Sequence, residues 1–285
     1  MSTPILEDIL SVDVEDWFHI LDVDSVPPVE QWSALPGRVE QNFRRMLELF
    51  ATADVRVTCF FLGWVAKQYP DLVREASAAG HEIASHGFFH RLVYQQSATE
   101  FRQDVVDSKR LLEDLTGKVV LGFRAPGFSF VPSTPWVFEE LTGAGYVYDS
   151  SIFPAARGHG GNAQARPEPH RISTPSGPLL EFPISVVEVA GIRLCLFGGG
   201  YFRISPYALI ERAGANVRRK NRPVIYYIHP REIDPQHPRL PMPALRRFKS
   251  YVNLASTWRK LQRTVSEGRV TSFRDWMERH HASVA

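Results

Sequence analysis

Ile9-Leu10-Ser11-Val12-Asp13-Val14-Glu15-Asp16-Trp17 is the stretch on which the fold turns. Ile9–Val14 is a short run rich in β-branched residues and reads as a buried strand. Three carboxylates, Asp13, Glu15 and Asp16, close it. In α/β folds functional groups gather at the carboxyl ends of strands. Clustered acids repel one another unless a proton or a cation relieves them. A hard or borderline metal would do so. Taken alone, a solvated acidic loop after a strand is the stronger reading of this segment.

Outward from this strand, the pattern alternates. Val39, Phe43, Met46, Leu47 and Phe50 recur at helical spacing within 38–52, and 55–62 is a second apolar run. A helix-like stretch from Gly63 to Ala79 ends at Gly80, and 81–86 is a short strand. Helix 99–115, strand 119–123, a helix from Ser133 ending near Gly143 or Gly145, and strand 146–148 follow. Residues 154–178, rich in Gly, Pro and Arg, read as a long loop. Strands 179–182 and 186–197, helix 206–219 and strand 224–228 come next, and 243–266 reads as mostly helical. Repeated β-then-α units predict a parallel sheet with crossover helices, either an open sheet or a closed barrel.

Three further strand ends carry polar groups. In Ser85-His86-Gly87-Phe88-Phe89-His90, the histidines stand at i and i+4. A helical turn past Ser85 would let both chelate one metal. His81, on the other side of the alternation, is read as structural. In Arg124-Ala125-Pro126-Gly127-Phe128, an arginine at a strand end can hold a carboxylate in a fixed fork. Strand 224–228 ends in His229, a group suited to acid or base work near neutral pH. Each has a bland reading, as a surface arginine or a rim histidine. Jointly they supply what a metal-assisted hydrolase needs: metal ligands with an open position, a base, a cation to orient it and an acid.

At these residues the chain resembles the polysaccharide deacetylases of the NodB-homology type, carbohydrate esterase family 4. It looks nearest to the branch found with exosortase and exopolysaccharide loci in bacteria, akin to peptidoglycan deacetylase and allantoinase-like members. Asp13–Trp17 stands at the family's paired-Asp motif. Ser85–His90 matches its Ser/Thr-His-x3-His motif, and Arg124–Phe128 its Arg-x-Pro motif. Tyr148-Asp149-Ser150-Ser151 matches the fourth motif and Ile228-His229 the fifth.

The resemblance implies an α/β fold, a distorted (β/α)7 barrel, and a divalent metal, usually zinc. By it Asp13 is the general base, Arg124 orients Asp13, and His229 is the acid. His86 and His90 are metal ligands. The carboxylate ligand is left open between Glu15 and Asp16. Asp-x-Glu-Asp departs from the family's adjacent Asp pair, and strand alternation favours Glu15. Asp149 has no assigned role, because the Asp that tunes the acid His in many members lacks a clear counterpart. Phe128, Tyr201 and Arg203 are candidate sugar contacts. The whole chain, 1–285, is expected to form one catalytic domain with a family-specific C-terminal region from about 197. The expected activity is removal of N-acetyl groups from amino sugars of a polysaccharide, or of its lipid-linked precursor, in exopolysaccharide synthesis. The alternatives are an allantoinase-like amidohydrolase and a non-catalytic carbohydrate-binding protein.

Composition fits this reading. The 285 residues hold 33 Lys+Arg against 31 Asp+Glu, a net charge of +2, which offers no broad basic field for nucleic acid. The balance hides a split. Residues 1–37 contain eight acids and no Lys or Arg, whereas 239–279 contain ten Lys/Arg against three acids. An acidic start does not suit a secretory signal. Cys59 and Cys195 offer no disulfide framework, and a reducing, cytoplasmic setting is expected. The basic segment 244–265 is an ordinary docked helix on its plainer reading, and a peripheral membrane contact on its sharper one. Gly198–Gly200 follows a strand but lacks the Gly-Lys-Ser/Thr of a phosphate loop.

Overall fold

A computed structural model describes residues 7–156 and 160–280. Its strands are β1 (Asp8–Val14), β2 (Thr58–Phe61), β3 (Glu82–Ser85), β4 (Gly122–Phe123), β5 (Tyr148–Asp149), β6 (His170–Thr174), β7 (Gly177–Glu181), β8 (Val187–Val189), β9 (Ile192–Leu194), β10 (Ile225–Ile228) and β11 (Val270–Thr271). The helices are α1 (Val39–Thr52), α2 (Gly63–Gln68), α3 (Pro70–Ala78), α4 (Ala98–Thr116), α5 (Val137–Gly143), α6 (Gly199–Ile204), α7 (Tyr207–Arg219), α8 (Ala244–Tyr251), α9 (Leu254–Ser266) and α10 (Phe273–His280). The main sheet runs β10-β1-β2-β3-β4-β5-β7-β6, with β11 also on β1. All its pairings are parallel except the β6–β7 hairpin.

Period-2 alternation sorts the strands into two faces. Leu10, Val12 and Val14 of β1 join Cys59, Phe61, Ile83 and Ile228 in a core shared with α1, α3 and α4. Ile9, Phe60, Ala84, Tyr148, Ile225 and Tyr227 form the inner face. Beyond the end of β7, Ser185 turns back to β10. Its hydroxyl accepts the Ile225 N–H at 2.9 Å and donates to the Pro223 carbonyl at 3.2 Å. The Tyr227 N–H also donates to the Phe197 carbonyl at 3.1 Å, so this side of β10 is met by isolated bonds rather than by a full ladder. Helix α10 packs under the amino ends of the strands. The Phe273 N–H donates to Thr58 Oγ1, and the Phe273 ring stacks on Tyr148 at 5.1 Å. The carboxyl ends stay open.

The structure departs from the sequence expectation in several elements. The expected loop 154–178 contains β6, an edge strand whose burial alternates and whose turn uses Gly177 at φ +127°. Its Gly/Pro-rich surroundings hid it, and residues 157–159 lie outside the described residues. The expected strand 186–197 is the separate hairpin β8–β9. The helix expected over 63–79 breaks into α2 and α3 at Pro70, where the ring cannot continue a helix. The helical tail breaks at Asn253, in the left-handed region.

The acidic head and the basic tail meet. Trp17, Phe18 and Trp32 pack with Leu240, Tyr251 and Leu254 in a third buried cluster. Both cysteines are buried, and among the described residues they form no disulfide. Among the described residues no helix is long and apolar enough to cross a membrane.

Gly122 is required by a close approach. A Cβ there would stand 2.0 Å from Tyr148 Cζ, and that ring is fixed by its hydroxyl bond to Glu82 at 3.0 Å. Overpacking of this kind costs about 1–3 kcal/mol. Gly122→Ala is expected to lower the urea midpoint accordingly, and an unchanged midpoint would contradict the packing described.

Candidate active site

The inner face places Ile9, Ser11 and Asp13 in one row and Ile225, Tyr227 and His229 in the adjacent one. The apolar members fill the interior, and the polar members at the strand ends rim it. Val14 ends β1, and the Glu15 N–H folds back onto the Asp13 carbonyl at 3.0 Å. That turn brings Glu15 to the same side as Asp13.

Arg124 is fully buried and organises this rim. One terminal nitrogen donates to Asp13 Oδ1 and to Ser11 Oγ, each at 2.7 Å. Nε donates to the Ser150 carbonyl at 3.2 Å, and the other terminal nitrogen to Ser150 Oγ at 3.1 Å. The guanidinium lies 4.2 Å over the Phe60 ring. The Arg124 carbonyl holds His86 Nδ1 at 2.8 Å. Since a carbonyl only accepts, that nitrogen carries the proton, and His86 Nε2 keeps a free lone pair. Burial pushes His86 down to about 4, which favours the neutral ring.

His86 and His90 do not share a helix. Gly87 (φ +74°) and His90 (φ +56°) are left-handed, and the loop is pinned by Asp104, which accepts the Phe88 N–H at 2.7 Å. The loop still brings the two imidazoles within 5.2 Å, so the i,i+4 pair meets by a different route from the expected helical turn.

Ligand atoms of Glu15, His86 and His90 all lie within 4.8 Å of one another, and all three residues are buried. Glu15 Oε2 receives no hydrogen bond, yet it stands 2.6 Å from His90 Nε2. A carboxylate oxygen and an imidazole nitrogen that close share either a proton or a cation. Burial raises the Glu15 carboxyl, but His90, His229 and Arg231 outweigh it and hold the group below the ordinary carboxylate range. Two nitrogens and one carboxylate oxygen fit a divalent metal with an open position. Asp16 points elsewhere: its carboxylate accepts N–H groups from Trp17, Arg38 and Val39 at 2.7–3.1 Å. Of the two acids left open by the sequence, Glu15 joins the histidines.

His229 closes the rim. Its Nε2 lies 3.8 Å from Asp13 Oδ2 and 3.4 Å from Glu15 Oε1. Its Nδ1–H donates to Glu232 Oε2 at 3.1 Å. Burial alone would lower the imidazole, but Glu15, Glu232 and Asp13 together raise it. Glu232 is itself buried against Arg203, which with His229 holds it down to about 2. Glu232 and Arg203 are the partners sequence reasoning missed in this role. The signal was the i+3 acid in His229-Pro230-Arg231-Glu232. Arg203 reaches the cleft wall, but its donors go to Glu232 and to the carbonyls of Lys249, Ser250 and Val252. Asp149 instead accepts from Ser151, whose hydroxyl receives the Ala125 N–H, and so supports the loop after Arg124.

The cleft above this rim measures about 340 Å³, and its walls include Phe128 and the half-exposed Tyr201. His19 also lines it. Its Nδ1 accepts the Asp16 N–H at 2.9 Å, so the neutral ring carries its proton on the buried Nε2, which has no hydrogen-bond partner among the described residues.

The comparisons with known proteins agree with this geometry. The polysaccharide deacetylase family model matches residues 24–145. The chain carries a polysaccharide deacetylase domain of the NodB type. A second model, a domain of unknown function (DUF3473), matches residues 150–278. The deacetylase domain is similar to the peptidoglycan deacetylase of Helicobacter pylori, 30% identical over 40% of this chain and 38% of that protein. It is also similar to the chitooligosaccharide deacetylase of Azorhizobium caulinodans, 30% identical over 28% of this chain and 38% of that protein. The chain thus spans well under half the length of either relative. A crystal structure described as a polysaccharide deacetylase from Mycobacterium smegmatis superposes with a TM-score of 0.62 at 20% identity. It covers all of this chain and 94% of the other. Puue allantoinase superposes with a TM-score of 0.64 at 18% identity, covering 96% and 90%. These likenesses fix the fold, a mostly parallel α/β sheet of the distorted (β/α)7 kind.

The electrostatics set a pH sign. The His229 imidazolium is stabilised above its ordinary range, so protonation persists as pH rises. Replacing Glu232 by Gln removes one of the groups that raise it and leaves burial to lower it. A pH profile of kcat/KM for metal-loaded Glu232→Gln should show its alkaline limb at lower pH than wild type. An unmoved limb would remove Glu232 from this role.

Proposed function

We propose that this protein is a metal-dependent N-deacetylase that removes acetyl groups from amino sugars of a polysaccharide or its lipid-linked precursor during exopolysaccharide synthesis. The observation that carries the reading is the split of Asp13. One oxygen is fixed by Arg124, and the other faces His229 beside the Glu15–His86–His90 cluster. The family's deacetylase relatives support the substrate class. We assign residues 1–285 to one catalytic domain, because His229 and Glu232 from the C-terminal half complete a rim begun by β1.

In this reading Glu15, His86 and His90 hold a divalent metal, zinc by the donor set. When bound, the metal would supply Lewis acidity toward water and the acetyl carbonyl oxygen. Asp13 accepts the proton of the attacking water through the oxygen Arg124 leaves free. Arg124 fixes the direction of Asp13. His229, protonated at Nε2, gives that proton to the departing amine, while Glu232 holds Nδ1 and Arg203 holds Glu232. Phe128 and Tyr201 provide apolar walls for a sugar ring. Arg203 acts through Glu232 rather than on the sugar.

The test is acetate release from N-acetylglucosamine oligomers, with metal content measured alongside. Wild type should release acetate and lose the activity to a chelator. Asp13→Asn should lose about 10²–10⁴-fold in kcat while retaining its metal. Full activity in Asp13→Asn, or ring opening of a cyclic ureide in place of acetate release, would overturn the assignment.

A further inference from the structure

Beside the cleft, outside the catalytic rim, lies a surface the deacetylase reading does not use. Residues 235–266 contain no Asp or Glu but seven cations: Arg239, Arg246, Arg247, Lys249, Arg259, Lys260 and Arg263. Three are engaged within the chain, Arg263 in an exposed pair. Lys260 donates to the carbonyls at the end of α6, Arg246 to the Leu21 carbonyl, and Arg263 pairs with Glu211. Arg247 and Lys249 are exposed on α8, and neither is in an ion pair among the described residues.

The same helix exposes large apolar side chains. Leu245 is 67% exposed and Phe248 57%, one helical turn apart on one face. Ile204 at the end of α6, 44% exposed, lies at the wall of the cleft. Helices α6 and α8 are joined by Arg203, which donates from α6 to the Lys249 and Ser250 carbonyls of α8. Arg246 and Lys249 line the cleft, so Leu245 and Phe248 lie on the flank beside its mouth.

We propose that this face of α8, with the end of α6, is a contact surface for an anionic lipid bilayer, which sets the mouth of the cleft at the headgroup level. Apolar anchors flanked by cations, on a segment with no acid of its own, suit an anionic interface; the exposed Asp22 and Asp24 sit beside the Leu21 carbonyl that Arg246 holds, next to this face. A second copy of this chain fits poorly. A two-fold contact would set the same cation-rich, acid-free segment against itself. The proposal stands without the deacetylase reading, since vesicle binding needs no turnover, and it deepens that reading by giving a lipid-linked substrate a route to the cleft.

The experiment is co-sedimentation of the full chain with phosphatidylglycerol-containing vesicles and with pure phosphatidylcholine vesicles. Wild type should bind the anionic vesicles, bind the neutral ones far less, and release at about 0.5 M salt. The double variant Leu245→Ser/Phe248→Ser, and separately Arg247→Glu, should each bind about tenfold more weakly. The double variant should still release acetate from soluble oligomers at the wild-type rate, which also shows that it folds. No binding to anionic vesicles, or equal binding by wild type and variants, overturns the proposal. A dimer seen by light scattering and split by the double variant, without vesicle binding, assigns the face to a second copy and overturns it too.

Discussion

The buried pair Arg124–Asp13 is the constraint on which the site depends. A guanidinium with no exposure has lost all its water, and only a full set of acceptors offsets that loss. The fold supplies the set from separate strands: Asp13 and Ser11 from β1, and the carbonyl and hydroxyl of Ser150 after β5. The Arg124 carbonyl then fixes the tautomer of His86. One residue therefore sets the direction of the Asp13 carboxylate and leaves the His86 Nε2 lone pair free, and it locks the spacing of the strand ends. Pairs of this kind add little net stability. What this one provides is geometry: Asp13 Oδ1 is aimed by a planar guanidinium whose other donors are fixed by Ser11 and Ser150.

A second relay approaches from the opposite edge of the sheet. Arg203 holds Glu232, and Glu232 holds His229, with all three side chains largely withdrawn from solvent. The two relays meet where Asp13 Oδ2 faces His229 Nε2 across 3.8 Å. Asp13 and His229 are thus each backed by an opposite charge, and the surrounding carboxylates raise the His229 imidazole.

Much of this was legible in the sequence, for one physical reason. Period-2 alternation puts Asp13 in line with Ile9 and Ser11, and His229 in line with Ile225 and Tyr227. A polar residue continuing an inward-facing apolar row at a strand's end has little choice but to rim the interior. Spacing also joined His86 to His90, although by a left-handed loop that no helical pattern describes. The illegible residues are those whose partners are distant in sequence. Glu232 three residues after a histidine reads as a solvated acid until Arg203, 29 positions earlier, is folded against it. Asp16 looked interchangeable with Glu15, because its hydrogen-bond donors Arg38 and Val39 come from the start of the next helix. The strand β6 was lost among glycines and prolines, since an edge strand buries too little to leave a strong pattern.

The relay through Arg203 also ties the chemistry to the surface beside it. The guanidinium that holds Glu232 is itself positioned by the carbonyls of Lys249, Ser250 and Val252, at the end of α8. Two further links, Arg203 to Glu232 and Glu232 to His229, reach the acid. A shift of α8 would therefore have to break or carry with it the acceptors of a buried cation, and buried guanidinium groups do not tolerate lost acceptors. Whatever α8 rests on, its position relative to His229 is stiffly coupled. A surface contact there would orient the cleft without loosening the acid, because the same hydrogen bonds that seat the helix keep His229 Nε2 aimed at Asp13.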